Sequence, residues 1–136
     1  MSVGTKLIRI ALLYMLVGLV MGLAMAMSHD WTLVSVHSHL LLLGWATMAI
    51  SGIVYLVEPR CAGRKLARVH YWGHNIGLPV MLVSLGFVQY GYVAAEPVIG
   101  VGSIIVLVSL VAFTINVFSV RSAPPILDST EVTPSK

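Results

Sequence analysis

Apolar residues along this chain gather into four long runs, residues 7–27, 33–57, 69–93 and 98–120, separated by short polar breaks. Each run supplies the roughly 20 residues that a membrane-crossing helix needs. The breaks carry turn chemistry: Ser28-His29-Asp30, then Glu58-Pro59-Arg60 through Arg68, then Glu96-Pro97. Connections this short make each helix antiparallel to the next. The pattern predicts an all-α integral membrane protein whose four transmembrane helices form an up-down arc over residues 1–120. From Arg121 the chain turns to Pro124-Pro125 and Ser/Thr/Pro. Residues 121–136 therefore read as a flexible, solvated tail.

Composition sharpens this picture. The chain is 58% hydrophobic and 10% charged, against about a quarter charged in soluble domains. A water-facing surface cannot be built from such material. The net charge of +3 would suit nucleic acid, but the basic residues flank the apolar runs and so read as topology signals. Lys6 and Arg9 stand at the start of the first run, Arg60, Arg64, Lys65 and Arg68 fill the central break, and Arg121 follows the last run. The other two connections carry Asp30 and Glu96 and no Lys or Arg. Positive residues stay inside, so both termini are expected on the cytoplasmic face of a bacterial-type inner membrane. A secretory signal ending near Ala24-Met25-Ala26 is the competing reading of the first run, which is long for that role. Cys61 is the single cysteine; it excludes an internal disulfide and a Cys-based zinc site.

Polar side chains in a bilayer are costly, and the histidines therefore carry most of the chemical information. His37 and His39 enter the second helix a little over one turn from its non-cytoplasmic end, and His70 and His74 open the third helix at its cytoplasmic end. At 1.5 Å rise per residue, roughly 20 residues of helix set the two pairs about 25–30 Å apart, too far to share one metal within a protomer. At about 100° per residue, His37 and His39 point to opposite flanks of their helix and cannot chelate one ion. They suit two separate ligand sites, or hydrogen bonds across helices with Ser35, Ser38 or Thr47. His70 and His74, at i and i+4, share a face and can chelate one ion. With Tyr71, Trp72 and Asn75 beside them, they also fit the aromatic belt as structural anchors. Histidine is a frequent ligand of metals and heme as well as a tolerable polar group, so spacing alone leaves function and structure level for His37 and His39.

Asp30-Trp31-Thr32, His37-Ser38-His39, Gly44-Trp45, Tyr55 and Pro59, followed by His70-Tyr71-Trp72, resemble a segment of the catalytic subunit of heme–copper oxidases. The likeness is greatest to the cbb-type oxidases and their nitric oxide reductase relatives. It covers roughly residues 30–85, and by helix count the chain resembles the last four of that family's twelve helices. The resemblance implies heme b, with His37 in the place of the axial ligand to the high-spin heme and His39 in that of a ligand to the low-spin heme. His70 matches a family histidine that is not a heme ligand. The family's copper ligands and the second low-spin ligand lie on helices with no counterpart here, so complete oxygen reduction by this chain alone is not expected.

The leading expectation is thus a heme b membrane protein for electron transfer or for binding or sensing a diatomic gas, its potential set by axial imidazoles and their surroundings. Tyr14 and Trp45 are candidates for shaping its pocket. Gly18 and Gly22, and Gly73 and Gly77, have the GxxxG spacing of close helix packing. A second expectation is copper handling, from Met15, Met21, Met25, Met27 and His29 near one end of the first helix, since thioether and imidazole suit Cu(I). Methionine is also an ordinary apolar filler. A third is a cofactor-free assembly or accessory subunit of a respiratory oxidase. Two diverging histidines at one level, with only loop residue His29 beside them, imply that a bis-histidine heme draws its second ligand from a neighbouring chain. The resembled oxidases arrange their twelve helices as three four-helix arcs, so the resemblance favours a homotrimer pairing His39 of one protomer with His37 of the next, with a twofold dimer as runner-up.

Overall fold

A computed structural model describes residues 1–120. The expected tail, residues 121–136, lies outside the described residues, as does Arg121 of the charge pattern. Four long helices follow one another: α1 (Val3–Ser28), α2 (Val34–Val57), α3 (Lys65–Gln89) and α4 (Glu96–Phe118). A helical turn, Pro59–Ala62, joins α2 to α3, and a short 3-10 turn, Val93–Ala95, leads into α4. No strand occurs among the described residues.

Each boundary has a local cause. Ser2 caps α1, its hydroxyl accepting the Thr5 N–H, which satisfies one of the four donors left free at a helix start. His29 ends α1 with φ 55°, in the left-handed region. Asp30 Oδ1 then accepts both the N–H and the hydroxyl of Thr32, turning the chain toward α2. Gly91, at φ 92°, ends α3. There the Tyr92 N–H reaches Phe87 O and the Gly91 N–H reaches Val88 O, the paired bonds of a Schellman ending. The third helix therefore begins and ends four residues earlier than its apolar run suggests. Arg64 donates to Asn116 O and Ser119 Oγ, placing a cation on the carbonyl end of α4.

Three helices, α1, α2 and α4, are long and apolar enough to cross a membrane, not the expected four. α3 has the length, but its first half holds Lys65, Arg68, His70, His74 and Asn75, which depress its apolarity. Large apolar side chains cover the outer faces, among them Leu13, Leu19, Val20, Ile50, Ile104 and Leu107. Such faces are stable against lipid, where every backbone polar group is already satisfied within a helix.

The helices pack in sequence order, α1 on α2, α2 on α3 and α3 on α4, each antiparallel to the last. The buried residues of α1 (Gly4, Leu7, Ala11, Gly18 and Met25) lie along one stripe, and small residues there let α2 approach closely. Gly73 faces Ser109, and Gly77 faces Ile105 and the Gly102 carbonyl. The expected close-packing role of that GxxxG pair is realised at the α3–α4 crossing. Inside α2, residues Leu40–Thr47 form a π-helical segment. It widens the helix beside Gly44, whose missing side chain admits the Tyr14 ring.

Candidate functional site

His37 and His39 both lie on the α-helical first turns of α2, Val34–His39, so their side chains leave on opposite flanks as expected. His37 turns toward α1. Its Nδ1 lies 3.0 Å from Gly18 O, and its ring occupies the space that a side chain at Gly22 would take, 2.9 Å from an added Cβ. Gly18 and Gly22 thus serve both helix contact and clearance for an imidazole. His39 Nδ1 lies 2.8 Å from Ser35 O of its own helix. A carbonyl only accepts, so both rings carry their proton on Nδ1 and leave the Nε2 lone pair free. That tautomer is how metal-binding imidazoles are usually held. Both residues are half-buried.

The expected pocket-shaping residues divide. Tyr14 packs on Gly44 within the fold, whereas Trp45 is exposed on the outer face. His29 is exposed and holds the left-handed position that stops α1. Met21 and Met25 line one cleft of about 170 Å³ with Ser28, Asp30 and Tyr90, while Met27 faces outward. Among the described residues no group of three or more His, Cys, Asp or Glu side chains could hold a metal ion.

His70 and His74 depart from expectation. As interface anchors they would be exposed, yet both are fully buried, and Trp72 beside them takes the outward position. Their depth also differs from the expected separation. His74 Nε2 lies 3.1 Å from Leu43 O in the π-helical segment, and Leu43 is four residues, or about 6 Å of helix, from His39. The third helix begins at Lys65, so His74 stands well inside it and lies closer to the level of His39 than the apolar run suggests, while His70 pairs with Tyr55 farther along α2.

His70 and His74 belong to a buried polar seam where α2, α3 and α4 meet. Tyr55 Oη lies 3.1 Å from His70 Nδ1, and Phe113 stacks against His70 with ring centres 4.9 Å apart. Asn116 donates from Nδ2 to Cys61 O at 2.9 Å, and the Cys61 thiol is free and buried. Ser51 and Ser109 are also buried here, each bonding a carbonyl of its own helix. Among the described residues three buried atoms of the seam have no partner: His70 Nε2, His74 Nδ1 and Asn116 Oδ1. Sequence reading did not single out Asn116 or Ser109. Asn116 was the accessible signal, an amide inside a long apolar run where such groups need a reason.

Comparison of the chain with protein-family models, with curated proteins and with solved structures finds no match.

Proposed function

We propose that this chain is a multi-pass membrane protein that binds heme b through His37 and His39 and works in electron transfer or in binding a diatomic gas. The carrying observation is that both rings commit Nδ1 to a backbone carbonyl, Gly18 O and Ser35 O, and so keep Nε2 as the nitrogen available to a metal at one level of α2. The residues fit the group: two neutral imidazoles with fixed tautomers are the donor set that heme iron takes. A bound heme would supply one-electron chemistry and a site for a small gas. The protein's part is to hold the rings, with Gly22 leaving room for His37 and the apolar faces of α1 and α2 excluding water. The likeness of His37-Ser38-His39 and Gly44-Trp45 to heme–copper oxidase catalytic subunits supports the same reading.

In this reading all four helices cross the bilayer, α3 hiding its polar stripe against α2 and α4, and both termini face the cytoplasm beside the basic residues. The imidazoles diverge, so a six-coordinate heme takes its second histidine from another copy of the chain. A ring of three, with one heme per interface, gives a heme-to-chain ratio near one, whereas a twofold dimer gives one half. The test is a reduced-minus-oxidised spectrum of the purified protein with heme quantified per chain. His37→Ala and His39→Ala should each abolish or sharply alter the Soret band, and His70→Ala should leave it nearly unchanged. A colourless wild-type protein reconstituted with hemin to no effect would sink the proposal. So would a spectrum indifferent to both second-helix variants.

A further inference from the structure

We infer that His70 and His74 form a second, independent site: a two-coordinate position for a soft monovalent metal ion of the copper(I) class. The argument starts from the proton on His74. Its Nε2 faces the Leu43 carbonyl at 3.1 Å, and a carbonyl accepts only, so Nε2 bears the hydrogen and Nδ1 is a bare lone pair. That lone pair is fully buried and has no partner. One turn earlier on the same face, His70 Nδ1 lies 3.1 Å from the Tyr55 hydroxyl; the tautomer that donates from Nδ1 to that oxygen, which the proposed site requires, makes Nε2 a second lone pair, likewise buried and unpartnered among the described residues. The two ring centres are 5.6 Å apart, at an interplanar angle of 87°. That spacing leaves room between the rings for one ion with metal–nitrogen bonds of about 2 Å. An unpaired polar atom in such surroundings costs about 1–3 kcal/mol, and one ion between the rings would satisfy both.

The identity of the ion follows from what else is present. Zinc takes four ligands in tetrahedral geometry, and only two imidazole nitrogens are free. No Asp or Glu occurs within α2 or α3, and α4 carries one only at Glu96, its far end. A divalent ion would therefore place two uncompensated charges in an apolar interior, which is strongly unfavourable. A closed-shell monovalent ion accepts two neutral nitrogen donors in a near-linear arrangement and brings half that charge. Phe113 and Tyr55, with ring centres 4.9 and 5.7 Å from that of His70, wall this end of the site.

The test uses silver(I) as a redox-inert probe on the purified full-length protein in detergent. One tight equivalent per chain is expected, with an X-ray absorption spectrum of two short nitrogen scatterers and no sulfur. His70→Gln and His74→Gln should each lose that equivalent, whereas Met25→Leu and His29→Ala should keep it. Gln at position 74 can still donate to Leu43 O, and the wild-type absorption spectrum does not depend on any variant folding. Binding of no silver by the wild type would mean that a bridging water alone serves these atoms, and would overturn the inference. Sulfur in the first shell, or an equivalent retained by both Gln variants, would overturn it too. Heme binding at His37 and His39 is read in the visible spectrum, so either site can fail without the other.

Discussion

Gly102→Ala should destabilise the protein although it replaces glycine by the best helix former. Gly102 lies where α4 crosses α3, and a Cβ built there meets Met81 N at 2.6 Å and Met81 Cα at 2.9 Å. The nearer atom is 0.8 Å short of the 3.4 Å at which ordinary contact begins. It is also backbone inside a helix, so it cannot swing aside as a side-chain tip would. Relief requires α3 and α4 to separate along the stretch where Gly77 meets Ile105 and Gly73 meets Ser109. A gap of 0.5–1 Å forfeits a quarter to a half of each dispersion contact it opens. Overpacking of this kind costs about 1–3 kcal/mol, against a helix-propensity gain for alanine of at most about 1 kcal/mol. Gly100→Ala, two residues away, meets nothing within 4 Å and should show the propensity gain alone. Gly77→Ala is intermediate, since a Cβ there meets Ile105 Cγ2 at 2.8 Å, Ile105 Cβ at 2.9 Å and Gly102 O at 3.0 Å, contacts no shorter than those at Gly102 but still in need of relief. Unfolding in mixed micelles with increasing dodecyl sulfate, followed by circular dichroism, should rank the variants Gly100→Ala, Gly77→Ala, Gly102→Ala from most to least stable. A Gly102→Ala protein as stable as Gly100→Ala would refute the close crossing and the small-residue account of it.

Tyr55→Phe leaves His70 Nδ1 buried without its hydroxyl partner and should cost about 1–3 kcal/mol in the same micelle titration; a neutral result would contradict that hydrogen bond. For topology, a reporter active only in the cytoplasm should work when fused after the C-terminus and fail when inserted after Trp31, and the reverse pattern would invert the orientation proposed from the basic residues. Asp30 is held below the usual carboxylate range first by the Thr32 hydroxyl and then by the Thr32 N–H. A lowered folded-state value means that its stabilising contribution is complete above the unfolded value of about 3.9 and is lost as pH falls through the folded one. Thr32→Val should therefore flatten the acid limb of the stability profile below about pH 4, and an unchanged limb would show that the turn does not couple to folding.

The polar seam marks the boundary between what residue order announces and what only packing creates. Apolar runs and their breakers, Ser28 through Asp30 and Glu58-Pro59, delimit α1 and α2 to within a few residues, because those signals are local. The opposite flanks of His37 and His39 are equally local, following from 100° per residue on the regular turns Val34–His39. The same arithmetic misplaced His70 and His74. Beside Arg68 and Trp72 they look like interface groups, but their burial depends on α4, where Ser109 sits against Gly73 and Asn116 reaches back to Cys61. The π-helical segment Leu40–Thr47 has no signature in its residue types either. Its Leu42 and Leu43 carbonyls take side-chain partners, Thr47 Oγ1 at 2.8 Å and His74 Nε2 at 3.1 Å, and the second comes from another helix. Segments of this kind are frequent at functional sites, and this one lies between the imidazoles of α2 and those of α3.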